Sequence, residues 1–246
     1  MAQHKARALV LGAFDYRETS RILQLFSEED GLVSLVARGL RSPKSRHANA
    51  AEKFNLVQVT FTAKEGASMG TLSGIEVERQ FGGIRENIDA YALANYWFEV
   101  VGVAVQPGMQ APALFRLTID FLGLLCYPAC IGAPVLQAFG SLLDALGIGV
   151  HATVCSSCGA RDEVTHFDTS EGVAYCAHCA SPNKRQFPLS ACLKECFAGA
   201  GAGMAVISKA DLFAGLCLVN DVASYHLDHS MKSFGFLCDV LGGHKK

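Results

Sequence analysis

The sequence predicts an α+β protein: an N-terminal five-stranded OB-like β barrel, then an α-helical body that carries a zinc-ribbon-like insert. Three observations lead there. Short apolar runs separated by turn residues fill the first 80 residues. Beyond Phe81-Gly82-Gly83 the apolar spacing changes to steps of three and four. Two Cys-x-x-Cys pairs then interrupt the helical pattern. The expected limits are 1–80 for the barrel domain and 81–246 for the helical domain, with 151–182 as the zinc-binding insert.

The strands are expected at 5–13, 20–27, 32–37, 54–63 and 71–80. Asp30-Gly31 marks a hairpin, because its tight turn needs positive φ and these residues tolerate it. The run 54–63 alternates most clearly, with Val57, Val59, Phe61 and Ala63 on one face and Gln58, Thr60 and Thr62 on the other. Glu65-Gly66 is expected to turn the chain into the fifth strand. Tyr91, Ala94, Phe98 and Val101 mark the first long helix, stopped by Pro107-Gly108. Leu114, Leu117, Phe121 and Leu124 mark a second, and Val135, Phe139, Leu142 and Leu146 a third, with Gly147 and Gly149 as its C-terminal caps. Helical spacing resumes at Leu189 and breaks at the glycines of 199–203. Ser208-Lys-Ala-Asp211 reads as a capping box, and 230–241 as the last helix.

Half of the residues are hydrophobic and 18% are charged, which excludes a disordered chain. The net charge of -2 names no partner. Its distribution says more: residues 1–80 hold 11 Lys/Arg against 9 Asp/Glu. No export signal is evident at the start, so a cytoplasmic protein is expected, with its ten cysteines as thiols and metal ligands rather than disulfides. The segment 121–143 is uncharged, but Pro128 and Pro134 lie inside it, so it reads as two helices with a turn and not as a membrane span.

Cys155-Ser-Ser-Cys158 and Cys176-Ala-His-Cys179 are separated by 17 residues. Each pair turns two sulfurs toward one point, and two pairs supply a tetrahedral set of four thiolates for one zinc ion. Four thiolates leave no open position for a reacting water, so the role is structural. Cys126, Cys130, Cys192, Cys196, Cys217 and Cys238 read as small apolar residues of helices.

Between Asp30 and Glu52 there is no acidic residue, yet Arg38, Arg41, Lys44 and Arg46 fall within nine positions. Gly39, Ser42, Pro43 and Ser45 make this stretch an exposed loop. Its composition suits phosphate binding, with Arg17 and Arg21 extending the patch. On an OB-like barrel such a patch serves single strands, with Phe14, Tyr16 and Phe26 as stacking or core rings. No phosphate-cradling G-x-x-x-x-G-K-[ST], no G-x-S-x-G and no H-E-x-x-H occurs, which argues against a nucleotide cofactor and an enzyme. His226 and His229, three apart, lack further ligands.

Tyr16-Arg-Glu-Thr-Ser-Arg21, Glu28-Glu-Asp-Gly31 and Ala37-Arg-Gly-Leu-Arg-Ser-Pro-Lys-Ser-Arg46 resemble the N-terminal domain of the bacterial RecO family. The cysteine knuckles with Phe167-Asp168 and Gly172 are similar to that family's zinc insert, and Tyr225-His-Leu with Lys232-Ser233 and Phe236-Leu237 to its closing motif. The resemblance implies a recombination mediator in DNA repair. Such a protein binds single- and double-stranded DNA, anneals strands coated with the single-stranded-DNA-binding protein SSB, and acts with RecR to load RecA. It carries DNA-contacting roles over to Arg38, Arg41, Lys44, Arg46 and Arg21. The competing expectation is a zinc-containing protein-interaction adaptor with little DNA affinity of its own.

Overall fold

The computed structural model describes residues 3–42, 45, 47–63, 69–161, 163–181, 185–198 and 207–242. It divides into two compact units. The first comprises Met1–Arg85 with Val101–Gly123, and the second Glu86–Val100 with Leu124–Lys246.

In the first unit, β1 (Gln3–Tyr16), β2 (Ser20–Ser27), β3 (Gly31–Ala37), β4 (Leu56–Thr62) and β5 (Gly70–Arg79) close a barrel in the order β1-β2-β3-β5-β4. Closure depends on β1 being longer than its apolar run. Its first half pairs with β4 from Gln3↔Thr62 to Leu9↔Leu56, and its second with β2 from Ala8↔Ser27 to Tyr16↔Ser20. A register shift between Val10 and Gly12 bends the strand from one neighbour to the other. The ring is completed where β3 meets β5 in parallel, Leu35↔Gly70 and Val36↔Thr71. A Cβ on Gly70 would stand 3.0 Å from the Thr62 carbonyl and 2.9 Å from the Leu35 side chain, so glycine is what lets the strands approach there. The interior is filled by Ala6, Ala8, Val10, Leu23, Leu25, Leu35, Val57, Val59, Phe61 and Ile75.

The Asp30-Gly31 turn forms as the sequence predicts. The Ser27 hydroxyl accepts from the amides of Glu29 and Asp30, at 3.3 and 3.2 Å, and Gly31 takes φ +65°. The segment between β3 and β4 is not simply an exposed loop. Leu40, Ala50 and Ala51 join the barrel core, and Phe54 is buried beside the loop's end. Asn55 donates to the carbonyls of Asn49 and Ala50, and Arg85 pairs with Glu52 at 2.5 Å. The turn expected at Glu65-Gly66 lies outside the described residues, as do the glycines of 199–203.

A short helix α1 (Gly83–Glu86) leads into α2 (Ile88–Ala104). Ala90, Ala92, Leu93, Ala94, Tyr96, Trp97, Phe98, Val100 and Val101 are all buried, covering the helix nearly all round. Tyr91, expected on the apolar stripe, is half exposed instead and meets Phe236 edge-on. α3 (Pro112–Leu125) and α4 (Ala133–Ala145) flank a single 3-10 turn at Pro128–Cys130, so 121–143 is two helices and a turn. Among the described residues, no helix is long and apolar enough to cross a membrane. Gly147, at φ +75°, caps α4, with its amide donating to Asp144 and that of Ile148 to Leu143. Gly149 does something else: a Cβ there would collide with the Asp144 carboxylate. α5 (Ala191–Phe197), α6 (Lys209–His226) and α7 (Lys232–Leu241) complete the second unit. Ser208 caps α6 by accepting from the Asp211 amide at 3.0 Å, as the capping box predicts.

Candidate metal centre and nucleic-acid interface

The cysteine insert is built on a three-stranded sheet, β6 (Val164–Asp168), β7 (Val173–Cys176) and β8 (Gln186–Pro188), in the order β7-β6-β8, whose last strand in sequence, β8, lies past the expected limit of 182. The β6–β7 turn is tied by the Asp168 carboxylate, which accepts from the amides of Ser170 and Glu171, both at 3.0 Å. Gly172 follows at φ +68°. The sheet is anchored to α6 through Asp221, which accepts from Thr169 at 2.5 Å and from Arg185 Nε at 3.1 Å. Lys194 of α5 donates to the Val164 carbonyl at 3.0 Å.

On this frame the two knuckles converge. In the first, the Gly159 amide donates to the Cys155 carbonyl at 3.0 Å and Gly159 takes φ +75°. In the second, the Cys179 and Ala180 amides donate to the Cys176 carbonyl at 3.1 and 2.9 Å. The four sulfurs of Cys155, Cys158, Cys176 and Cys179 lie within 4.8 Å of one another, and Cys158 and Cys176 are 3.8 Å apart. Two sulfurs at about 2.3 Å from a tetrahedral zinc stand roughly 3.8 Å apart, so the donor set fits such an ion. Amides of Cys176 and Cys158 hold the Cys155 thiol down to about 6. Against a lowering contact from Ser157, the neighbouring Cys176 and Cys158 sulfurs push Cys179 up to about 12. Four thiols at one point resist losing all their protons, and a dication removes that resistance. This cluster can therefore hold a metal ion. His178 plays no part in it.

Of the other cysteines, Cys196 is buried, while Cys126, Cys130, Cys192, Cys217 and Cys238 are half-buried. His226 and His229 are exposed, and His229 faces Glu99 at 3.9 Å.

The basic residues fall into three groups. Arg21 and Arg41 both reach the Asp15 carboxylate, at 3.1 and 3.4 Å. Arg41 is held further: its guanidinium donates to the Arg17 carbonyl at 3.2 Å and its amide to the Thr19 carbonyl at 3.1 Å. It thus ties the β3–β4 segment to the β1–β2 turn. Arg38 is exposed, and with Arg17 it lines a cleft of about 680 Å³ shared with Tyr16, Val36 and Thr71. Lys44 and Arg46 lie outside the described residues. Of the three rings, Phe26 is fully buried against Phe115 of α3, at 5.4 Å between centroids. Phe14 is 55% exposed. Tyr16 is half-buried, with the Arg17 guanidinium over its ring at 5.1 Å.

Asp15 escaped the reading of the sequence. It lies outside the acid-free window; strand pairing, Asp15↔Arg21, brings it to Arg21, and the fold-back of the β3–β4 segment brings Arg41 to it.

Two family models match this chain: Recombination protein O N terminal over residues 1–81, and Recombination protein O C terminal over residues 85–233. The chain is 30% identical over 243 residues to the DNA repair protein RecO of Geobacter metallireducens, covering 98% of this chain and 99% of that one. It is 33% identical over 197 residues to the DNA repair protein RecO of Anaeromyxobacter dehalogenans, covering 78% and 76%. It is 28% identical over 185 residues to that of Bacillus cereus, covering 75% and 74%. With both halves matched in order, a closed five-stranded barrel ahead of a helical body and a four-cysteine cluster between its helices, the chain belongs to the RecO family.

Proposed function

We propose that this chain is a recombination mediator in DNA repair, without catalytic activity of its own. It binds single- and double-stranded DNA, anneals complementary strands coated with SSB, and with RecR helps RecA onto the exposed strand. It acts in the cytoplasm, at the nucleoid. Family membership along the whole chain is the observation that carries this reading. The gathering of Arg17, Arg21, Arg38 and Arg41 at one end of the barrel supports it. Arg38 is the foremost phosphate contact, with Lys44 and Arg46 beside it in sequence. Arg21 and Arg41 contribute once a phosphate competes with Asp15. The metal of the four-cysteine cluster is one zinc ion with a structural role.

The test is annealing of two complementary single strands, precoated with SSB, by the pure protein without ATP. Annealing is expected, and binding weakens steeply with salt as phosphate contacts release counterions. Charge reversal in the Arg38→Glu, Lys44→Glu double variant removes most of the DNA binding and leaves thermal stability intact. A folded wild-type protein that neither binds nor anneals DNA, yet still captures protein partners after nuclease treatment, makes it an adaptor instead. The exposed Tyr91–Phe236 pair on the second unit is the feature that favours that second reading.

A further inference from the structure

We propose that the outer face of β1, β2 and β3 is a stacking platform for unpaired bases, with Phe14 as its ring, and that it gives the barrel a preference for single strands. The inference deepens the DNA-binding reading and rests on it.

Phe14 pairs across to Ile22, Ile22 to Val36, and Val36 to Thr71. The neighbours of this row, Ala13, Leu23, Leu35 and Leu72, pack into the barrel core. Side chains alternate between faces, so the row Phe14-Ile22-Val36-Thr71 lies on the outside. Phe14 is 55% exposed, and Ile22 and Val36 are half-buried. A solvated outer face calls for polar side chains, so three apolar ones in one row are out of place unless something covers them.

The surroundings say what that is. Val36 and Thr71 continue into the cleft that Arg17 and Arg38 line, with Glu18 as a carboxylate among them. A single strand presents phosphates along one edge and flat apolar bases along the other, which matches cations beside an apolar row. A duplex keeps its bases stacked inside and gains only from the cations. An apolar peptide would use the row and leave the cations without a role.

The experiment compares the affinity of the full chain for oligo(dT), for an abasic strand and for a duplex, all of one length. Wild type is expected to bind oligo(dT) at least several-fold more tightly than the abasic strand. Phe14→Ala is expected to lose roughly five- to a hundred-fold for oligo(dT). The same variant leaves duplex and abasic affinities and the salt dependence unchanged, and Phe14→Trp restores oligo(dT) binding. Equal wild-type affinity for oligo(dT) and the abasic strand overturns the platform, as does an undiminished Phe14→Ala, while the DNA-binding reading stands. A wild-type protein that binds none of the three overturns both.

Discussion

Asp15 decides how much of the arginine charge is available. Its carboxylate sits between Arg21 and Arg41, where the oxygens of a phosphate would otherwise go. It is 57% exposed, so the pair is screened and contributes little to stability. On the proposed DNA-binding reading its effect is on affinity, because it neutralises charge that a phosphate would use. Asp15→Asn keeps an oxygen for Arg21 and removes the competing charge. We expect tighter DNA binding by several-fold and a steeper salt dependence, by about one unit in the log–log slope. Fluorescence anisotropy across a salt series checks both. Weaker binding would mean that Asp15 serves to position Arg41, and the competition argument would fail.

Among the elements, α7 shows how a helix without a capping residue of its own is started by a neighbour. Its N-cap position is Met231, whose side chain accepts nothing. Glu99 of α2 does the work instead, accepting from the amides of Lys232 and Ser233 at 2.9 and 2.7 Å and from the Ser233 hydroxyl. Burial alone would push the Glu99 carboxyl up, but these donors and the charge of His229 bring it below its ordinary value of 4.5. A lowered folded pKa means that the stabilisation is fully present above that ordinary value. It disappears as pH falls through the lower folded one. Glu99→Gln is expected to cost about 1 kcal/mol at neutral pH. Thermal denaturation should show the gap between variant and wild type closing in acid. A constant gap down to low pH would exclude the charge as its source.

For the molecule as a whole, the structural zinc proposed for the four-cysteine cluster carries an expectation about how the insert folds. Its sheet has three short strands, and binding free energy is folding free energy in such a module. Stripping the metal with a chelator is expected to open the insert to protease between β6 and β8 and to expose four further reactive thiols. The barrel, whose core is its own, is expected to stay folded. One zinc per chain by elemental analysis would identify the ion. An insert that stays equally protease-resistant after chelation would show that Asp221, Lys194 and the buried Phe167 hold it without a metal.

Much of this was legible in the chain because it is encoded over short distances. Alternation marked the strands, Asp30-Gly31 the hairpin, Ser208 and Asp211 the α6 cap, and the spacing of four cysteines their convergence into a cluster able to hold a metal ion. The glycine, serine and proline of the basic window marked a loop, and Arg38 in it is exposed. What stayed hidden depends on parity and pairing. Ala6, Ala8, Val10 and Phe14 are all even-numbered, and an unbroken strand would have put Phe14 in the core with the others. The shift between Val10 and Gly12 turns the alternation over, so Ala13 packs inward and Phe14 faces water. Phe26 meets the opposite fate because Phe115, almost ninety positions away, covers it. Asp15 meets Arg41 only after two strands pair and a loop folds back. A pattern of residues sets which face or turn is possible locally, but exposure and charge pairing belong to neighbours that only folding brings together.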